Sequence, residues 1–151
     1  MARFRLARVL AYRRIQVQSL EQELHQRRHK LQQEETALAG LQTVCRQQQA
    51  ALIASEGQRL AGEALQMWHR HYRTLEAQVQ RQHEAVLEAA RAVAVTQQEV
   101  IAARQKKKML EKMAATVQQR HIMRVARDEQ QLLDEIANMR SSDGYQTSPR
   151  D

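Results

Sequence analysis

No proline interrupts the chain before Pro149, and only four glycines punctuate it: Gly40, Gly57, Gly62 and Gly144. Proline and glycine are the usual breakers of regular structure, so little here obliges the backbone to turn. Large rings are scarce too, with one Phe, one Trp and three Tyr among 151 residues. Rings anchor most globular cores, and their scarcity argues against a globule with an enclosed active site. The single cysteine, Cys45, excludes an internal disulfide framework and fits a reducing compartment. No apolar run approaches the roughly 18 residues that would span a bilayer. Acids are the minority charge, 17 Asp and Glu against 24 Lys and Arg, for a net charge of +7. Such a surface suits an acidic partner, whether nucleic acid, anionic membrane or acidic protein, and it also suits plain solvation.

Signatures of catalysis are missing as well. There is no glycine-rich phosphate loop and no serine elbow. His25 and His29 stand four apart and could reach one metal, but no metalloprotease signature accompanies them. His69 and His71 are two apart and point to different faces of a helix. The expectation is a protein that is not an enzyme, with no metal, no cofactor and no small-molecule substrate.

What the chain has in abundance is Ala, Leu, Glu, Gln, Lys and Arg, the strong helix formers. They carry a seven-residue repeat. Leu10, Val17, Leu24, Leu31, Leu38, Cys45 and Leu52 form one apolar line. Its companion, Arg13, Leu20, Arg27, Glu34, Leu41 and Gln48, is mostly polar. A repeat of seven held this long directs a helix to supercoil against a partner. The spacing predicts helix 1 from about residue 3 to about residue 55. Residues 54–64, ASEGQRLAGEA, then break the pattern, with a turn expected at about 56–61. Gly57 suits the position just past a helix end, and Glu63 suits the N-terminal dipole of the next helix.

Helix 2 is predicted from about 62 to about 140. One line holds Leu65, Tyr72, Val79, Val86, Val93 and Val100; the other holds Trp68, Leu75, Ala89, Ala103, Leu110 and Val117. Near His121 the beat fails, resuming in a shifted phase at Ile122, Leu132, Leu133, Ile136 and Met139. That marks either a stutter or the point where the partner helix has run out. So short a connection implies antiparallel neighbours. The expected fold is all-α: one domain over residues 1–140, two long helices in an antiparallel coiled-coil hairpin, with a C-terminal helical overhang. Residues 141–151 are expected to be a disordered polar tail.

Folding the hairpin sets Leu52 opposite Leu65, Leu31 opposite the Val86 region and Val17 opposite Val100. It also gathers two basic clusters at the end that carries the termini. Arg3, Arg5, Arg8, Arg13 and Arg14 come from helix 1; Arg104, Lys106, Lys107, Lys108 and Lys112 come from helix 2, with the lysines outside the seam. The bland reading of each cluster is a solvated face. At the loop end, Ala37, Leu41, Val44 and Ala51 add a second small apolar line on helix 1. Either helix packing widens there or the line is a docking surface.

Three stretches carry a resemblance. FRLARVLAYRRIQVQSLEQEL (4–24), WHRHYRTLEAQVQRQHEAV (68–86) and KKMLEKMAATVQQRHIMRVARDEQQLLDEIANMR (107–140) resemble the FliJ family, the coiled-coil component of the flagellar type III export apparatus. A related family serves injectisomes. The more specific parts are Phe4, Leu6, Val9 and Leu10 beside Tyr12, Arg13 and Arg14; Leu110, Glu111 and Lys112; and Asp134, Glu135, Ile136 and Ala137 before Arg140. The run of N-terminal arginines departs from the pattern.

The resemblance implies an antiparallel coiled coil similar to the stalk of a rotary ATPase. Its implied partners are the hexameric export ATPase, the membrane export gate and export chaperones, and its implied location is the cytoplasmic face of the cell membrane. The basic end would meet the ATPase. Leu41, Val44, Tyr72, Leu75 and Val79 are similar to the family's gate-facing surface. Three other readings compete with this one, the first being the stalk protein of an injectisome type III secretion system. A nucleic-acid binder would use the basic end, which has neither interleaved aromatics nor helix-turn-helix spacing. A membrane-surface helix would use residues 1–18, where arginines flank apolar residues. That stretch also has the composition of a transit peptide, but its apolar pattern runs on unbroken, which favours a mature helix.

Overall fold

The computed structural model describes residues 6–55 and 61–144. Two helices make up the fold, α1 (Ala7–Ser55) and α2 (Gly62–Gly144), packed against each other as an all-α hairpin with no strand among the described residues. The chain divides into two compact units. One comprises Gln16–Arg104; the other comprises Met1–Ile15 with Gln105–Asp151. The turn around Gly57 lies outside the described residues.

In the larger unit, the seven-residue lines become the contact seam. Val17 and Leu24 on α1, and Leu75, Ala89, Val100 and Ala103 on α2, are buried. The polar companion line of α1 lies in the seam as well, with Leu20, Arg27, Glu34, Leu41 and Gln48 all half-buried. Burying polar groups is costly unless they find partners. Here Gln82 Nε2 donates to the Glu34 carbonyl at 3.0 Å and to its carboxylate at 2.5 Å. Arg27 Nη1 donates to the Ala92 carbonyl at 3.4 Å, while Nη2 meets Glu23 at 2.5 Å. These contacts bracket the Leu31–Val86 level from either side.

Among the described residues the most buried side chain is Thr96, at 0% exposure. Its hydroxyl donates to the Ala92 carbonyl one turn back at 3.0 Å, so it enters the seam without an orphaned donor. Gln82 and Thr96 fill the two gaps left in the companion line of α2 between Leu75 and Ala103. Counting sevens strictly from Leu75 reaches both; filtering for apolar residues skips them.

In the smaller unit, α1 opens with the Leu10 amide donating to the Leu6 carbonyl at 2.9 Å. Leu10 is buried and Arg14 pairs with Glu111 at 3.5 Å. Leu110, Glu111 and Ala114 are half-buried, but from Ile122 to Ser141 every residue is exposed. The phase change near His121 therefore marks the place where α1 ceases to cover α2. The helix also outlasts its expected end near residue 140, and α2 continues through Gly144. Ser141 Oγ donates to the Asn138 carbonyl at 3.0 Å and so supports the last turn.

Candidate functional site

The basic clusters come from widely separated stretches of the sequence. Arg8, Arg13 and Arg14 on α1 and Lys106, Lys107, Lys108 and Lys112 on α2 belong to the same compact unit. Arg3 and Arg5 lie outside the described residues. Arg8, Lys106, Lys108 and Lys112 are exposed, and among the described residues no ion pair occupies them. Hydrated ammonium groups on flexible stems are suited to contact an acidic surface in a salt-dependent way.

Four members of the expected set behave differently, Arg13 because it is half-buried. Arg104 belongs to the larger unit, and its guanidinium is held by Glu21, with Nε at 2.9 Å and Nη2 at 2.6 Å from the same carboxylate oxygen. Arg14 is engaged by Glu111. Lys107 was expected outside the seam, yet it is half-buried. It stands seven residues after Val100, so the heptad carries its aliphatic stem inward and lets only the head reach water. Lys106 and Lys108, one step to either side, turn outward.

The second candidate surface lies near the turn. Trp68 and Tyr72, one helical turn apart on α2, stack with centroids 4.9 Å apart at 12°, and His69 meets Trp68 edge-on at 5.3 Å. Trp68 lies over a depression formed by Ala51, Leu52 and Ala64. Tyr72 and Val79 instead line an open groove with Gln42, Cys45, Arg46 and Glu76. The Gln49 amide donates to the Tyr72 hydroxyl across the two helices. Desolvation raises the Tyr72 phenol above its ordinary range, the Glu76 carboxylate and the Cys45 thiol push the same way, and the Gln49 bond opposes them.

Of the five residues assigned to a gate-facing surface, Leu41, Tyr72 and Val79 are half-buried and Val44 is exposed. Leu75 is buried at 7% exposure, so it holds the helices together and offers no outward contact. Ala37, Val44 and Ala51 are exposed, with Ala51 at the rim of the depression that Trp68 lines. No group of three or more His, Cys, Asp or Glu side chains suited to a metal occurs among the described residues. No helix of the described residues is long and apolar enough to cross a membrane.

The family model described as "Flagellar FliJ protein" matches residues 1–144, both helices included. No curated protein and no solved structure matches the chain.

Proposed function

The chain belongs to the FliJ family and is a coiled-coil component of flagellar type III protein export, and we propose that it acts there as the central stalk and activator of the hexameric export ATPase. The observation that carries this reading is the group of exposed cations, Arg8, Lys106, Lys108 and Lys112, contributed to one unit by both helices. A stalk that engages a protein ring needs charge that is exposed and unengaged by its own chain, presented from a stiff support. Helix pairing supplies the support, and the ring's carboxylates supply the complement.

On this reading the groove bounded by Tyr72, Val79 and Cys45, with exposed Val44 nearby, faces the export gate. Its half-apolar lining suits a segment of partner chain better than a solvated surface. Escort of export chaperones and residence at the cytoplasmic face of the cell membrane complete the proposal.

The test is calorimetric titration of the purified export ATPase with the full chain at two salt concentrations. Binding should weaken as salt rises. K106E/K108E/K112E should reduce affinity by about tenfold or more while the helix content stays unchanged. Lys107 is left intact because its stem lies in the seam. Equal affinity of wild type and variant would remove the basic surface from the contact.

A further inference from the structure

Beyond the basic surface, the same unit carries a second one of opposite character. From Ile122 to Ser141 no described residue covers α2, yet the sequence keeps the spacing of a packed seam. Ile122, Val125, Leu132 and Ile136 continue an a/d pattern, Leu133 widens it, and these five are 41–60% exposed. Glu129 takes the one seam position between Val125 and Leu132. An apolar stripe of this kind, interrupted by a single acid, on an exposed helix marks an interaction face.

The charges beside the stripe identify what covers it. Residues 128–139 hold four acids, Asp128, Glu129, Asp134 and Glu135, and no Lys or Arg, in a chain whose net charge is +7. Asp128 and Glu135 are seven apart and run along one edge of the stripe; Glu129 lies within it. Asp134 points to the far side, where Gln130 donates to it at 3.0 Å.

This pattern disfavours a second copy of the chain. An antiparallel pair that sets Val125 against Ile136 and Glu129 against Leu132 also sets Asp128 beside Glu135 of the other copy. A parallel pair stacks Glu129 on Glu129. Both arrangements place like charges where coiled coils place complementary ones. A helix with apolar residues at seam spacing and Lys or Arg at the flanks satisfies every one of these positions.

We infer that the C-terminal part of α2 docks a basic amphipathic helix of a partner protein, with Ile122, Val125, Leu132 and Ile136 forming the seam and Asp128, Glu129 and Glu135 selecting for its charge. The chain then has two partner surfaces of opposite sign, the basic one proposed for the ATPase and this acidic, apolar one.

Fluorescence anisotropy of the full chain with two designed helical peptides tests it, one built from Leu/Lys heptads and the other from Leu/Glu heptads, at about 150 mM salt. The Leu/Lys peptide should bind saturably despite the protein's net positive charge, and the Leu/Glu peptide about tenfold more weakly or not at all. D128N/E129Q/E135Q should cost about tenfold, and L132S/I136S should abolish binding. K106E/K108E/K112E should retain it, which separates this surface from the basic one. Circular dichroism should show wild-type helix content for the variants, whose altered residues lie outside the packed pair. No binding, equal binding of both peptides, or insensitivity to both stripe variants overturns the inference. So does sedimentation showing a dimer that L132S/I136S converts to monomer, since a second copy would then cover the stripe.

Discussion

Arg104 spends its guanidinium on Glu21, both of its contacting nitrogens reaching one carboxylate oxygen within 3 Å. The pair crosses from α2 to α1, and both side chains remain substantially exposed, at 60% and 42%. Exposed pairs contribute about 0–1 kcal/mol and weaken with salt. A double-mutant cycle of Arg104→Gln and Glu21→Gln, followed by thermal melting, should give a coupling energy in that range that shrinks as salt rises. Arg104→Gln should leave ATPase affinity unchanged, in contrast to K106E/K108E/K112E.

Gly40 lies in the interior of α1 and a Cβ built on it meets nothing within 4 Å. Glycine there costs the helix about 1 kcal/mol relative to alanine, mostly through the freedom of the unfolded chain. Gly40→Ala should raise stability by about 0.5–1 kcal/mol, read as a higher denaturation midpoint with an unchanged slope.

Glu34 and Gln82 meet inside the seam through two bonds, so removing the Glu34 carboxylate leaves the half-buried Gln82 amide with the residue-34 carbonyl alone. Glu34→Ala should cost about 1 kcal/mol, and Glu34→Leu with Gln82→Leu should recover that loss or exceed it. Polar seam residues can fix helix register, so the double leucine variant should melt higher and less cooperatively. Thr96→Val keeps the shape and removes a hydroxyl bonded only to its own helix; the change should stay within about 1 kcal/mol. Thr96→Leu overpacks the most buried position and should cost about 1–3 kcal/mol.

The raised phenol of Tyr72 has a definite sign in alkaline solution. The folded chain favours the neutral hydroxyl, so its contribution to stability is present below the ordinary phenol pKa of 10.0 and is lost as pH climbs through the raised value. Stability measured in denaturant should therefore fall above about pH 10, and Tyr72→Phe should lessen that fall. An equal fall in the variant would assign it to other groups.

Much of the helix pairing was legible because a repeat of seven is a geometric instruction: it names the side of the helix that a partner must cover. Leu10, Val17, Leu24, Leu75 and Val100 lie buried on the lines that the repeat drew. Reading hydrophobicity along with position hid Gln82, Thr96 and Lys107, which sit on those same lines with polar side chains. Their burial follows from spacing, and their chemistry is accommodated by a cross-helix bond, a bond to the preceding turn, or an aliphatic stem. Folding the hairpin gathered the basic clusters but gave no sign that Glu21 and Glu111 would claim Arg104 and Arg14. Those pairings depend on which flank of each helix faces its neighbour, a property of the supercoil. The burial of Leu75 was legible in its line and lost only in assigning it to a surface.

The stalk proposal meets its most direct test in steady-state ATP hydrolysis by the purified export ATPase, titrated with the full chain. Turnover should rise saturably, the stimulation should diminish as salt increases, and K106E/K108E/K112E should need about tenfold more protein for the same effect. Turnover that stays flat across the titration, with no complex formed, would contradict the proposal.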